Sequence, residues 1–287
     1  MEHVIKADKL TKRFGNFIAA NEITFNVFPG EIFGFLGANG AGKTTAMRML
    51  CGLSIPSSGN ATVAGFDVYK QAGQIKSSIG YMSQKFSLYE DLTVLENIRF
   101  FAGIYGLTNK QIKEKSEELI LKLGLQNETK KLVGTLPLGW KQKLSFSVAV
   151  LHHPAIVFLD EPTGGVDPVT RRQFWDLIYD ASEKGVTVFV TTHYMDEAEY
   201  CNRISIMVDG QIRALNTPAK LKEQFNRLQW TKYFTSLRVV LPVRLSENEL
   251  RAISYQPSAR NISRSIFLIT DTKNVLLPDK TLVLGQV

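Results

Sequence analysis

Cysteine is scarce in this chain: Cys51 and Cys201 are the only two in 287 residues. Two thiols make no disulfide framework and no zinc-type cysteine pairs, and a reducing, cytosolic compartment is the default for such a chain. Long apolar runs are also missing. No stretch approaches the length of a membrane span, and the start, Met1-Glu-His-Val-Ile-Lys6, does not read as a signal peptide. Blocks of like charge are absent too. The net charge of +7, with a pI near 9.3, is spread over pairs such as Lys130-Lys131 and Arg171-Arg172. That balance suits an anionic membrane surface or a nucleic acid and singles out neither. What remains, 44% hydrophobic and 21% charged, is a globular composition, ample for one α/β domain and a small second one.

The most informative stretch runs from Glu31 to Leu50. Ile32 to Leu36 is a short apolar run, long enough for a buried strand and too short for a helix. It breaks into Gly37-Ala-Asn39-Gly40-Ala41-Gly42 and then Lys43-Thr44-Thr45, before a helical pattern carrying Ala46, Met47, Met49 and Leu50. Strand, G-x-x-x-x-G-K-T and helix make a phosphate-binding loop in its confirming context. Backbone N–H groups must converge on an anion, so the loop visits conformations that glycine adopts without a clash. The helix adds its free N–H groups and positive dipole end. Lys43 is placed to reach the β- and γ-phosphates, and the Thr44 hydroxyl to ligate Mg²⁺. The chain is therefore expected to bind a nucleoside triphosphate.

Other segments fall into order around this loop. Val4 to Leu10 and Ile23 to Val27 read as strands, the second closed by Pro29-Gly30. Phe14, between them, is either an aromatic face for an adenine or a strand-end core residue. Asn60 to Val63 reads as a short strand, and Ile79 to Gln84 as an apolar strand ending on Gln84, which is placed to complete a magnesium shell beside the attacking water. From Leu92 to about Lys122 the pattern turns helical, opened by the capping boxes Thr93-Val-Leu-Glu96 and Thr108-Asn-Lys-Gln111 and stopped at Gly124. Leu136-Pro137-Leu138-Gly139-Trp140 leads into a helix expected over Leu144 to Leu151.

Ala155 to Leu159 reads as a central parallel strand ending in Asp160-Glu161-Pro162. Adjacent carboxylates at the carboxyl end of a buried strand lie where ligands sit in open α/β sheets. One suits Mg²⁺ and the other the water that attacks a γ-phosphate. Asp167-Pro168 opens a further helix, and Val186 to Val190 leads to His193 on the same sheet edge, in reach of the γ-phosphate. A hairpin, Ile204 to Leu215, and a helix from Thr217-Pro218 to about Phe225 follow.

By Gly37–Thr44, Gln84, Asp160–Glu161 and His193, residues 4 to 225 resemble the nucleotide-binding subunit of an ABC transporter. The stretches Tyr81 to Asn97 and Thr191 to Glu199 look most like its drug-exporter branch. The resemblance implies an α/β, P-loop NTPase fold: a RecA-like parallel core with N-terminal antiparallel strands and a helical insertion over about 86–150. That domain spans 1–225, and a small α+β extension of unassigned role spans 226–287. It implies an ATPase motor that powers export through a separate membrane permease, peripheral on the cytoplasmic face of the cell membrane, with no nucleic acid bound. Two such subunits, alike or different, would face head to tail with ATP between them. Phe14 would stack on adenine, and Gly37, Asn39, Gly40, Ala41, Gly42, Lys43, Thr44 and Thr45 would cradle the phosphates. Thr44, Gln84 and Asp160 would hold Mg²⁺. Glu161 would be the general base, assisted by Lys43, Gln84 and His193, with Asp167 in a cross-dimer loop.

The resemblance departs at the signature segment, Leu136 to Trp140, where the family usually reads Leu-Ser-Gly-Gly-Gln. Pro137 has neither hydroxyl nor N–H, so up to two donors to the partner's γ-phosphate are lost, at about 1.5–3 kcal/mol for each charge-assisted bond. Gly139 and the helix start remain as an anion-binding end. A binding or regulatory subunit that closes on ATP and hydrolyses it weakly is the alternative reading of this departure.

Overall fold

The computed structural model describes residues 2–84 and 88–225, so the extension expected at 226–287 lies outside the described residues. Alternating and continuous apolar patterns sort the strands into two sheets. β1 (Ile5–Phe14), β2 (Phe17–Val27), β4 (Ser58–Val63) and β5 (Phe66–Asp67) form an antiparallel sheet in the order β2-β1-β4-β5. β3 (Ile32–Leu36), β6 (Ile79–Met82), β7 (Ile156–Asp160), β8 (Thr187–Thr192) and β9 (Arg203–Val208) run parallel, with β10 (Gln211–Asn216) closing one edge antiparallel. The order is β10-β9-β3-β8-β7-β6. β3, β7 and β8 are buried along their whole length, as a sheet covered on both faces requires.

The period of two divides each buried strand between two layers. Phe33, Phe35, Phe158 and Phe189 point toward the antiparallel sheet; the first two and Phe189 meet Phe25, ring centroids 5.3–6.1 Å apart, and Phe158 meets Phe189. Each such side chain contributes about 1.5–3 kcal/mol through burial. On the other face, Val157, Leu159, Val188 and Val190 lie under α5 (Leu138–Ala149) and α6 (Pro168–Glu183), through Phe146, Phe174 and Trp175. α1 (Lys43–Leu50) and α2 (Ala72–Ser78) join the first layer.

The helical insertion has its own core. α3 (Val94–Ile104) and α4 (Asn109–Leu123) pack with the start of α5 around Val94, Ile98, Leu119, Leu125 and Leu144. Both capping boxes form. Thr93 N–H donates to Glu96 at 2.8 Å and Thr108 N–H to Gln111 at 2.9 Å, while each threonine hydroxyl accepts the returning N–H. Gly124 ends α4 in the left-handed region at φ 67°. Several boundaries differ from the sequence reading: β1 runs on to Phe14, β2 starts at Phe17 and β4 at Ser58. The β6 strand stops at Met82, leaving Gln84 exposed in a loop, and α5 begins at Leu138, six residues before Leu144. The Pro137 carbonyl accepts N–H bonds from Trp140 and Lys141, so the proline starts this helix despite lacking a side-chain cap.

The insertion meets the core at a stacked pair. Tyr105, at the end of α3, lies on His152, ring centroids 3.7 Å apart and 15° from parallel. Burial lowers the His152 pKa from 6.5 to about 4. A base whose pKa is lower in the folded chain binds fewer protons there than in the unfolded chain, so stability is lost as pH falls from about 6.5 toward about 4. Replacing His152 with Phe keeps the stack and removes the titration. Thermal unfolding should therefore show a smaller drop in Tm between pH 7 and pH 5 for His152→Phe than for wild type.

Candidate active site

Three loops leave the carboxyl ends of adjacent parallel strands and converge. The loop after β3 is wedged between β2 and the β9–β10 turn. Gly210 N–H donates to Ala41 O at 3.1 Å, and Asn21 N–H donates to Gly210 O at 2.8 Å. Gly42 has φ 99°, and a Cβ there would collide with the Ala19 carbonyl of β2. Only glycine meets both conditions. Gly40, at φ 83°, faces open space, so its requirement is conformational alone.

Lys43 is buried, and its ammonium donates to Gly37 O at 2.8 Å, to Ala38 O at 3.1 Å and to Glu161 Oε1 at 3.2 Å. Glu161 is the meeting point. Its other oxygen, Oε2, accepts from Gln84 Nε2 at 3.2 Å and lies 3.1 Å from His193 Nδ1. Three side chains singled out from the sequence thus share one carboxylate, that of Glu161. Its backbone is held at φ 48°, a left-handed conformation unusual for a non-glycine residue. Glu161 N–H donates to both Thr191 O, at 3.1 Å, and Thr191 Oγ1, at 3.0 Å, and so keeps the turn in place.

Asp160 is almost wholly buried one residue earlier. Its Oδ1 accepts from Thr44 Oγ1 at 3.1 Å and Thr191 Oγ1 at 2.7 Å. Burial pushes the Asp160 carboxyl above the usual carboxylate range, as does the charge of Glu161. The two hydroxyl donors and Lys43 act in the opposite direction. The Thr44 hydroxyl, the Asp160 carboxylate and the Gln84 amide oxygen are hard oxygen donors of the kind Mg²⁺ takes alongside phosphate oxygens. Among the described residues no group of three or more His, Cys, Asp or Glu could hold a metal ion.

Phe14 is 55% exposed at the tip of the β1–β2 hairpin, not a core residue. It pairs with Phe17, two residues before Ala19, so the hairpin carries it to the rim of the phosphate loop. Within the segment Leu136 to Trp140, Leu138 lines a cavity together with Gln84, Glu161 and Gly164. With Gly165, Val166, Asp167 and Thr170, the residues Pro137 to Trp140 line a second cleft, of about 360 Å³. Gly139 sits so close to Thr170 Cγ2 that a Cβ could not be accommodated, a packing demand separate from any role in anion binding. Asp167 caps α6, accepting from Val169 N and Thr170 N at 3.0 Å each, and from Thr170 Oγ1. Those bonds, Thr170's first, hold its carboxyl below the usual range.

Sequence reasoning missed Thr191, which joins Asp160 to Glu161, and Gln142, whose Nε2 donates to Gly164 O at 3.1 Å. Thr191 was visible only as part of the Thr-Thr-His run. Its work depends on β7 and β8 being neighbours, which no local pattern states.

An ABC transporter family model matches residues 20–164. The probable multidrug ABC transporter ATP-binding protein YbhF of Escherichia coli is 51% identical over 223 residues, covering 78% of this chain. The chain spans only 39% of the length of YbhF. The linearmycin resistance ATP-binding protein LnrL of Bacillus subtilis is 36% identical over 219 residues, covering 76% of this chain and 70% of LnrL. A solved ATP-binding subunit of an ABC transporter superposes with a TM-score of 0.71 at 26% identity, over 78% of this chain and 93% of its own.

The Thr191 hydroxyl is wholly buried between two functional backbones. Thr191→Val keeps the shape and removes its bonds, leaving Asp160 and the Glu161 N–H short of a partner. Urea unfolding should show a loss of about 1–3 kcal/mol.

Proposed function

The chain belongs to the ABC transporter family, and from that premise we propose that it is the ATP-hydrolysing motor subunit of an exporter. It works on the cytoplasmic face of a separate permease, paired with a second nucleotide-binding subunit. The observation that carries this reading is the convergence of Lys43, Gln84 and His193 on Glu161. The relatives named for multidrug transport and linearmycin resistance support the exporter assignment.

The phosphates of ATP lie over the loop from Gly37 to Thr45, with Phe14 against the adenine. An arriving γ-phosphate competes with Glu161 for Lys43, and the lysine that neutralised the carboxylate turns to the anion. Thr44, Asp160 and the Gln84 oxygen hold Mg²⁺, which supplies charge neutralisation on the phosphate oxygens. Glu161, released from Lys43, accepts the proton of the attacking water, and Gln84 and His193 fix the direction of its Oε2. His193 hydrogen-bonds the γ-phosphate through a ring nitrogen. At the partner's nucleotide, Leu138 and Gly139 present the first N–H groups of α5, which have no acceptor among the described residues.

Coupling to the permease needs a docking surface. Tyr89 and Phe100 meet edge to face at 5.0 Å and both are exposed, with Ile104 one turn further along α3. Buried Asn97 holds the Tyr89 backbone by accepting from its N–H and donating to its carbonyl, each at 2.9 Å. An apolar patch fixed in this way suits a protein partner. Among the described residues no helix is long and apolar enough to cross a membrane.

Two measurements test the proposal. Glu161→Gln should bind ATP as wild type does while hydrolysis falls about 100- to 10,000-fold, and light scattering should show a dimer that requires ATP. Wild-type protein that neither binds nor hydrolyses ATP would overturn the reading. The double change Phe100→Asp with Ile104→Asp should leave ATP binding intact and shift the subunit from the membrane fraction to the supernatant. Unchanged membrane association would rule out this face as the docking surface.

A further inference from the structure

Glu197 is a carboxylate with no exposed surface, in the short helical turn Glu197–Tyr200 after β8. Burying an ionised carboxylate is costly unless every oxygen is satisfied, and here each oxygen has its own hydroxyl donor. Thr163 Oγ1 donates to Oε1, and Thr192 Oγ1 donates to Oε2 at 2.5 Å. Arg171 of α6 adds its Nε at 3.6 Å from Oε1, while its guanidinium lies 4.2 Å over the Tyr194 ring and its Nη1 donates to Asp196 at 3.2 Å.

The two threonines come from different loops. Thr163 lies two residues after Glu161, on the loop from β7. Thr192 immediately precedes His193, at the end of β8, and also accepts the Tyr194 N–H at 3.0 Å, so the bonds of one hydroxyl bracket the histidine. Arg171 belongs to the first turns of α6, the helix capped by Asp167. A single buried anion therefore joins the Glu161 loop, the His193 loop and the Asp167 helix.

We infer that Glu197 is a positioning residue for hydrolysis, holding Glu161 and His193 in mutual register across the ends of β7 and β8 through Thr163 and Thr192. It touches neither nucleotide nor water. This rests on the ATPase reading above. A glutamine at 197 fills the same space but offers one acceptor oxygen for two hydroxyls, so one threonine must turn its own O–H away and accept from the NH₂, losing its bond to an anion. The link to one loop is thereby weakened.

The test is steady-state ATP hydrolysis by the full chain with Mg²⁺, reading kcat and KM separately. Glu197→Gln should lower kcat about 10- to 100-fold, because small displacements of reacting groups have effects of that size, with KM for ATP nearly unchanged. Thr163→Val should lower kcat in the same way, while Thr163→Ser, which keeps the hydroxyl, should restore it. The Glu197→Gln and Thr163→Val losses should not add in the double variant, since both cut one link. A merely structural role would lower Tm without splitting kcat from KM and without a difference between Ser and Val at 163. Either that pattern or an unchanged kcat in Glu197→Gln overturns the inference. Should Glu197→Gln fail to fold, the Val and Ser comparison decides alone. Wild type without ATPase activity would instead overturn the functional reading, so the two failures are distinguishable.

Discussion

Two adjacent carboxylates at the end of a buried parallel strand set the terms for everything around them. Asp160 is taken out of water and Glu161 is turned out of the strand by a left-handed backbone, so their side chains diverge despite being neighbours. Each then needs its own compensation. Asp160 receives hydroxyls from Thr44 and Thr191, and Glu161 receives Lys43, Gln84 and His193. Those partners come from three separate stretches of chain, and the strand order β3-β8-β7-β6 brings them to the carboxylates. The sheet is the device that places a cation, an amide and an imidazole on one carboxylate.

The same logic explains the second cleft. Pro137 removes a hydroxyl and an N–H from the signature segment, yet α5 starts directly after it because the Pro137 carbonyl accepts two helical N–H bonds. Gly139 survives there beside Thr170, which itself donates to Asp167. The beginnings of α5 and α6 are thus fastened together by van der Waals contact and by a cap. Gln142 adds a bond from α5 to the loop that carries Glu161. A change at this second cleft has a short covalent and hydrogen-bonded path to the chain's own carboxylates.

Local rules served best where a residue answers to its neighbours in sequence. Both capping boxes, the Gly124 stop and the Pro168 helix start follow from backbone groups within four residues, and all are present. They served less well at the start of α5, expected at Leu144, where the Pro137 carbonyl accepts two helical N–H bonds and the helix begins at Leu138. In the run Asp196-Glu197-Ala198-Glu199 three carboxylates look alike in sequence, and only Glu197 is buried between two threonines and an arginine.

The amino-acid order by itself determined the phosphate loop, because a glycine with positive φ, a lysine and a helix start are requirements met within nine consecutive residues. It likewise determined that Asp160 and Glu161 would stand at a strand end, since the apolar run before them specifies a buried strand and the proline after them ends it. Only the tertiary structure decided which side chains those carboxylates would meet. Hydrogen bonds such as Thr191 to Asp160 and Thr163 to Glu197 join residues 31 and 34 positions apart. Their existence depends on β7 and β8 pairing as neighbours and not on any periodicity within either strand.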